Sequence, residues 1–403
     1  MAAGTTETAT SGQSLPAIPF DHARLDALME EAGLDALLVT SKHNIQYLLG
    51  GYRFFFFDYM DAIGTSRYLP VLVYVRGRPD QGAYVGNPME SWEQELGRFW
   101  MSEVLPVSWG TLDAVEAAAR HVEHLGSSVR RIGIEPPFLP ADAYLALARA
   151  LPSHELADAH FPLERLRAQK TPAELDLLRQ ASERVVDAMQ AVFASHGPGS
   201  TKQELASALR REEQARDLTF EYCLIATGRS FNRAPESGQR WEKGQVLSLD
   251  SGGNYQGYIG DLCRMAVAGE PDQELQDLLS EIDAIQQAAR RPIRAGALGQ
   301  ELYTEAEALL GRSAHRAYTD FVAHGMGIVS HEAPRLIGRR AAPYRADERD
   351  RPLAPGMVLS IETTMKHPTR GFIKLEDTVA VTRDGWEAFG DTARGWNRAG
   401  GRS

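Results

Sequence analysis

An α/β unit followed by an α+β unit is the fold class this sequence predicts, and three observations lead to it. The chain has 403 residues, more than a single hydrophobic core usually organises, so two domains are expected. Short apolar runs of strand length alternate with helical patterns up to about residue 151, the pattern of an α/β unit. From Lys170 onward, helix-start signals come first and strand-and-turn sequence fills the remainder, which is the order of an α+β domain.

Taken in order, residues 24–31 carry apolar side chains at helical spacing, and 36–39 (Ala-Leu-Leu-Val) form a short apolar run that suits a buried strand. Residues 68–75, 81–85 and 131–135 read as further strands, with helices at 112–124 and 141–151 between and after them. Thr171-Pro172-Ala173-Glu174 joins an N-cap, a proline at the first helical position and a glutamate three residues past the cap. That helix is expected to reach about Ala194, where His196-Gly197-Pro198-Gly199 stops it. Ser200 or Thr201 with Glu204 opens the next helix, which ends before Thr219. Strands follow at 222–227, 245–250 and 263–267. Helices are expected at 274–291, which Pro292 ends or kinks, and at 298–310.

Composition narrows the class of function. With 43% hydrophobic and 24% charged residues the chain has the make-up of a soluble globular protein. A formal charge of -11 disfavours nucleic-acid binding, which needs a basic surface to neutralise phosphates. Cys223 and Cys263 are the two cysteines, and they sit in no paired or metal-binding spacing, which fits a reducing cytoplasm. No apolar run approaches the roughly eighteen residues of a membrane span. Residues 1–16 lack both a basic start and an apolar run, so they read as a disordered tail.

The chemistry is carried by Asp250, Asp261, His324, Glu362 and Glu376. Four carboxylates and one imidazole make an oxygen-rich set suited to two divalent ions that share bridging carboxylates. Asp250 follows the apolar run Val246-Leu247-Ser248-Leu249, and Asp261 lies eleven residues later. Ser251-Gly252-Gly253-Asn254 reads as the turn between them, so a hairpin would bring the two aspartates side by side. In isolation each aspartate is an ordinary turn or strand-end residue. His324 stands in Ala323-His324-Gly325-Met326-Gly327, with His331-Glu332-Ala333-Pro334 just beyond. By itself His324 reads rather as a hydrogen-bonded structural histidine. Pro355-Gly356 feeds an apolar strand ending at Glu362, and Glu376 lies within Phe372-Ile373-Lys374-Leu375-Glu376-Asp377. An ionised glutamate in such a strand is costly unless a metal or a cation such as Lys374 or Arg370 accompanies it.

These segments in this order resemble the pita-bread metallopeptidase family, which includes aminopeptidase P, prolidase, methionine aminopeptidase and creatinase. The resemblance is dense over residues 170–385 and implies a C-terminal pita-bread catalytic domain at 166–403. The N-terminal α/β domain, at 17–165, would be creatinase-like. The resemblance further implies that Asp250 chelates one metal, that Asp261 and Glu376 bridge both, and that His324 and Glu362 complete the site. Glu362 would also move a proton and His331 would donate to the oxyanion, with a metal-bridging hydroxide as nucleophile. Such a site accepts manganese, cobalt, iron or zinc.

Three positions depart from the family. Peptide-cleaving relatives carry a histidine about seventeen residues before the first aspartate, where this chain has Asn232-Arg233-Ala234-Pro235. A histidine four residues before the metal histidine is replaced by Asp320, and an arginine two before the last glutamate by Lys374. Retained ligands with altered neighbours imply retained chemistry on a changed substrate. The aromatic segment Tyr52-Arg53-Phe54-Phe55-Phe56-Phe57-Asp58-Tyr59 reads as core or dimer contact. In creatinase-like relatives, however, the corresponding segment reaches the partner subunit's active site, so Phe56 is expected to wall the pocket and Arg67, Arg53 or Arg233 to hold a substrate carboxylate. The leading expectation is a homodimeric hydrolase of a small peptide or peptide-like amide. A hydrolase of a non-peptide metabolite, creatinase-like or ectoine-hydrolase-like, is the alternative, followed by a dimethylsulfoniopropionate lyase or a non-catalytic binding module.

Overall fold

The computed structural model describes residues 15–62, 64–336, 348 and 350–400. Of the tail expected at 1–16, residues 1–14 lie outside the described residues. The chain divides into two compact units, Met1–Leu166 and Arg167–Ser403.

The first unit contains α1 (His22–Glu31), β1 (Ala36–Val39), α2 (Lys42–Leu48), β2 (Val71–Val75), β3 (Ala83–Gly86), α3 (Ser91–Glu95), β4 (Glu103–Pro106), α4 (Thr111–His124), β5 (Arg131–Ile134), α5 (Ala141–Ala150) and β6 (Glu155–Asp158); α6 (His160–Ala168) runs across its end. The six strands lie in the order β4-β3-β2-β1-β5-β6. β1, β2 and β3 are buried along their whole length, which is why they stand out in sequence as apolar runs. β4 and β6 escape that reading because they are the sheet's edges: each has exposed residues and no continuous apolar run. One core, built from α4, α5 and one sheet face, contains Leu38, Val73, Ala118 and Leu147. The other contains α1, α2 and most of the aromatic segment.

That second core takes in Phe56, the residue expected to wall a pocket. The ring is buried and packs against Phe54, Phe55 and Tyr68, so within its own unit it has no open face to wall a pocket. Within the segment 52–59, Phe55 and Tyr59 are the exposed aromatics, at 54% and 56%.

The second unit holds α7 (Pro172–Ser195), α8 (Lys202–Gln214), β7 (Thr219–Thr227), β8 (Val246–Tyr255), β9 (Tyr258–Val267), α9 (Gln273–Arg290), α10 (Gly299–Leu310), β10 (Thr319–Gly325), β11 (Val358–His367), β12 (Gly371–Val381), β13 (Trp386–Phe389) and β14 (Asn397–Arg398). Both expected helix starts are reciprocal capping boxes, Thr171 with Glu174 and Thr201 with Glu204. The main sheet runs β10-β11-β12-β9-β8-β7. α7 and α8 pack on the face of β7–β9 that carries Leu247, Leu249 and Leu262. α9 and α10 pack on the face of β10–β12 that carries Phe321, Ala323, Ile361 and Val379. Side chains of opposite parity, including Asp250, Asp261, His324, Glu362 and Glu376, leave the sheet on the other side.

The β8–β9 hairpin differs from the sequence reading. Asp250 lies in the middle of β8, and the turn is Gln256-Gly257, both at positive φ (49° and 101°), closed by Tyr255 opposite Tyr258. Gly252 and Gly253 are strand residues. A Cβ on Gly252 would meet the Tyr222 ring at 2.4 Å, and one on Gly253 would meet Val185 at 2.7 Å. These glycines therefore serve close packing, where the sequence suggested a turn.

Candidate functional site

Strand register assembles the site. Asp250 pairs with Cys263, Cys263 with Glu376, and Glu376 with Glu362, forming one cross-strand row over β8, β9, β12 and β11. Asp261 faces Gly252, and His324 faces Ser360, so each stands two residues off that row on the same face. The result is two groups able to hold a metal, Asp250–Asp261–Glu376 and His324–Glu362–Glu376, whose potential ligand atoms lie within 4.8 Å of one another. Asp261, His324 and His331 form a third such group.

Burial and charge make this a centre that needs a cation. Asp250, Asp261, Glu376 and His324 are buried, while the Glu362 side chain keeps 16% exposure. Burial, then the nearby Glu376 and Asp250 charges, raises the Asp261 pKa well above the usual carboxylate range. His324 Nε2 is buried without a hydrogen-bond partner, 3.8 Å from Glu362 Oε1 and 3.9 Å from Glu376 Oε1. An orphaned imidazole nitrogen facing two carboxylate oxygens fits a divalent ion between them. Burial, followed by the neighbouring His331, lowers the His324 pKa to about 3, so the ring is neutral, as a metal ligand must be.

The loop after β10 sets His331. Its ring stacks on His324 with centroids 3.8 Å apart and planes 12° from parallel. Glu332 N donates to Gly325 O at 2.9 Å, and Gly325 N donates to Pro334 O at 3.0 Å. Gly325 and Gly327 are required by proximity: a Cβ would lie 2.3 Å from the Ala333 backbone or from Glu332 Oε1, respectively. The buried Glu332 carboxylate is held by Lys170 at 2.9 Å and Arg167 at 3.1 Å. Burial would raise its pKa, and the two cations reverse that shift.

Lys374, Arg233 and Asp320 stand near the carboxylates in three different settings. The Lys374 side chain is 4% exposed, and its ammonium contacts Asp250, Glu362 and Glu376. Burial alone would lower its pKa, but those three charges hold it well above the ordinary lysine value. Lys374 thus belongs inside the acidic centre. It is also the cation that accompanies Glu376, since Arg370 pairs instead with Asp272 and Glu274. Arg233 contacts Asp250, lies over the Phe372 ring at 5.1 Å and keeps 31% side-chain exposure. Asp320 is half-buried on β10, in one cross-strand row with Thr364 and Lys374. In the N-terminal unit, Arg67 pairs with Asp61 at 2.9 Å and lines a cavity of about 450 Å³ with Lys42, His43 and Phe138.

Sequence reasoning missed two supporting residues. Ser360 donates from Oγ to Glu376 Oε1 at 2.8 Å; the alternation of side chains along the strand, two residues before Glu362, could have found it. The Tyr222 side chain stands beside Asp261 and opposes the rise of its pKa, and only the adjacent-strand glycine, Gly252, hints at it.

Comparison with known proteins places this geometry. Residues 176–383 match the metallopeptidase family M24, and residues 22–169 match the creatinase/prolidase N-terminal domain. The chain is 26% identical over 372 residues to the uncharacterized peptidase YqhT of Bacillus subtilis, covering 90% of this chain and 95% of the relative. It is 26% identical over 374 residues to the probable dipeptidase PepE of Mycobacterium tuberculosis, covering 89% and 90%. Its fold is similar to a solved Xaa-Pro dipeptidase of Bacillus anthracis, with a TM-score of 0.77, 22% identity and coverage of 94% and 98%. Among the described residues no helix is long and apolar enough to cross a membrane. The chain belongs to metallopeptidase family M24, with a creatinase/prolidase-type domain ahead of its pita-bread domain, and is a metal-dependent hydrolase acting on peptide C–N bonds.

Proposed function

We propose that the protein is a dinuclear metal-dependent hydrolase that cleaves the amide bond of a dipeptide or a small dipeptide-like compound. The observation that supports this reading is Glu376, a carboxylate shared by the Asp250–Asp261–Glu376 and His324–Glu362–Glu376 groups, as a bridging ligand requires. The relatives named as peptidases and dipeptidases favour peptides as the substrate class. Asp250, Asp261, His324, Glu362 and Glu376 would hold the ions. Two divalent ions there would acidify a water toward a pKa of about 7 and polarise the scissile carbonyl.

The chain's own residues do the rest. Glu362, the most accessible of the four carboxylates, takes the proton from the attacking water and passes it to the leaving nitrogen as the C–N bond breaks. His331, stacked on His324, donates to the carbonyl oxygen as it gains negative charge. Arg233, at the partly exposed edge of the centre, binds a substrate carboxylate. The changed neighbours Arg233 and Asp320 set a substrate preference different from that of proline-specific relatives. The enzyme works as a homodimer, with Phe55 and Tyr59 in the interface.

The test is a substrate panel run with manganese, cobalt, iron and zinc. It comprises Xaa-Pro dipeptides, other dipeptides, tripeptides, and creatine-like and ectoine-like amides. Non-prolyl dipeptide cleavage that is abolished by chelation and restored by metal is expected. Cleavage of the metabolite amides alone would establish the alternative substrate class. Xaa-Pro cleavage as fast as that of any other substrate would overturn the claim of a changed pocket.

A further inference from the structure

Lys374 Nζ lies 2.7 Å from Asp250 Oδ2, 2.6 Å from Glu362 Oε2 and 2.7 Å from Glu376 Oε2. The Asp250 contact is an aligned hydrogen bond, whereas Glu376 Oε2 has no aligned donor and meets the ammonium as a charge. An ammonium has three donors and no acceptor, and here three carboxylates surround it.

The oxygens of the centre divide between two claims. Glu362 Oε1 and Glu376 Oε1 face the orphaned His324 Nε2. Asp250 Oδ2, Glu362 Oε2 and Glu376 Oε2 face Lys374. A metal on the His324 side can therefore use oxygens that the lysine leaves alone. A metal on the Asp250–Asp261–Glu376 side meets oxygens that already carry a positive charge. Among the described residues, four carboxylates share this centre with two cations that contact them, Lys374 and Arg233. Without the lysine, Arg233 alone would offset them.

We propose that Lys374 is an internal competitor of the metal: its ammonium stands in for a cation on the Asp250 side of the metal-free centre and must withdraw before that side is loaded. The inference rests on the two-ion reading above and deepens it. The lysine is suited to this task because its charge is a point on a flexible four-carbon stem.

The experiment compares metal-free wild-type protein with Lys374→Met, measuring zinc and manganese affinity by chelator competition and melting temperature without metal. Asp250→Asn assigns which ion belongs to the Asp250 side. Competition predicts that Lys374→Met binds that ion at least tenfold more tightly, while its metal-free form melts at a lower temperature than wild type. Unchanged or weaker binding of that ion in Lys374→Met would make the lysine a support for the metal and overturn the inference, leaving the two-ion reading standing. Wild-type protein that retains no ion at all would overturn both. Should Lys374→Met fail to fold, lysine-selective ¹⁵N spectra of wild type decide: a slowly exchanging ammonium signal in the metal-free protein should vanish on full loading. Its persistence unchanged would refute the competitor role.

Discussion

Glu376 and Asp377 are consecutive residues of β12 whose side chains leave opposite faces of the sheet, and the two faces treat a buried carboxylate in opposite ways. Asp377 meets Arg264 and Arg290, each at 2.9 Å, and also Arg394. Two of these arginines are further shared with Asp391, and Arg394 also reaches Asp283. Burial would raise the Asp377 pKa, but the three guanidinium groups hold it below the usual carboxylate value. In the Glu376 centre, by contrast, four carboxylates, Glu376 included, face two cations among the described residues, and an imidazole nitrogen is left without a partner. The compensated face contributes to holding the unit together, and the under-compensated face stores affinity for a cation.

The largest expected effect breaks the under-compensated face. Asp261→Asn should lose bound metal, read by elemental analysis, and turnover should fall by more than about three orders of magnitude. The metal-free variant should melt at or above the wild-type temperature, because one of four crowded negative charges is gone. Activity equal to wild type would sink the metal reading. On the other face the signs reverse. Asp377→Ala leaves the buried Arg264 without a carboxylate and takes one from Arg290 and Arg394, and should cost about 3–5 kcal/mol of stability, measured by urea unfolding. Its affinity for metal, measured on the folded fraction, should stay close to wild type. A stability loss below about 1 kcal/mol would remove the contrast between the faces.

A smaller effect sharpens the comparison within the acidic face. Ser360→Ala deletes the hydroxyl that donates to Glu376 Oε1. The expected outcome is about a 10–100-fold weaker metal affinity, since groups that orient a ligand typically count for that much. Stability without metal should change little. An unaltered affinity would show that Glu376 is held by its strand alone.

The contrast also explains what could be read from the sequence. Capping boxes and helical spacing are local signals, so α7, α8 and α9 appear close to where they were expected. The five ligand candidates were legible because each sits in a short segment with its own composition. What stayed hidden depends on distant partners. Gly252 and Gly253 look like a turn until Tyr222 and Val185 are seen against them. Lys374 looks like a substrate-facing neighbour of Glu376 until strand pairing sets it beside Asp250, on a strand more than a hundred residues earlier. Asp377 follows Glu376 so closely that it seems part of the same motif, and only the alternation of the strand assigns it to the arginines.

Glu213 shows a third way of burying a carboxylate, and it tests the comparison with the least disturbance of function. It is fully buried on α8, accepts a hydrogen bond from Ser251 Oγ at 2.7 Å, and among the described residues makes no ion pair within 4 Å. Burial raises its pKa to about 8 against the opposing bond from Ser251, with a smaller upward contribution from the Glu221 charge. With neither metal nor arginine, the group keeps its proton. Its folded pKa lies above its unfolded value of about 4.3, so between those values the unfolded chain releases a proton that the folded chain holds. Stability therefore falls as pH rises across that window and levels off above about pH 8. Glu213→Gln should remove this slope, which can reach about 1.4 kcal/mol per pH unit for a full proton, while metal affinity and turnover stay as in wild type. Urea unfolding from pH 5 to 9 reads the slope directly. If wild type and Glu213→Gln run parallel throughout, an unpaired carboxylate beneath this sheet stays ionised without cost, and the cation demand assigned to the Glu376 face would lose its physical basis.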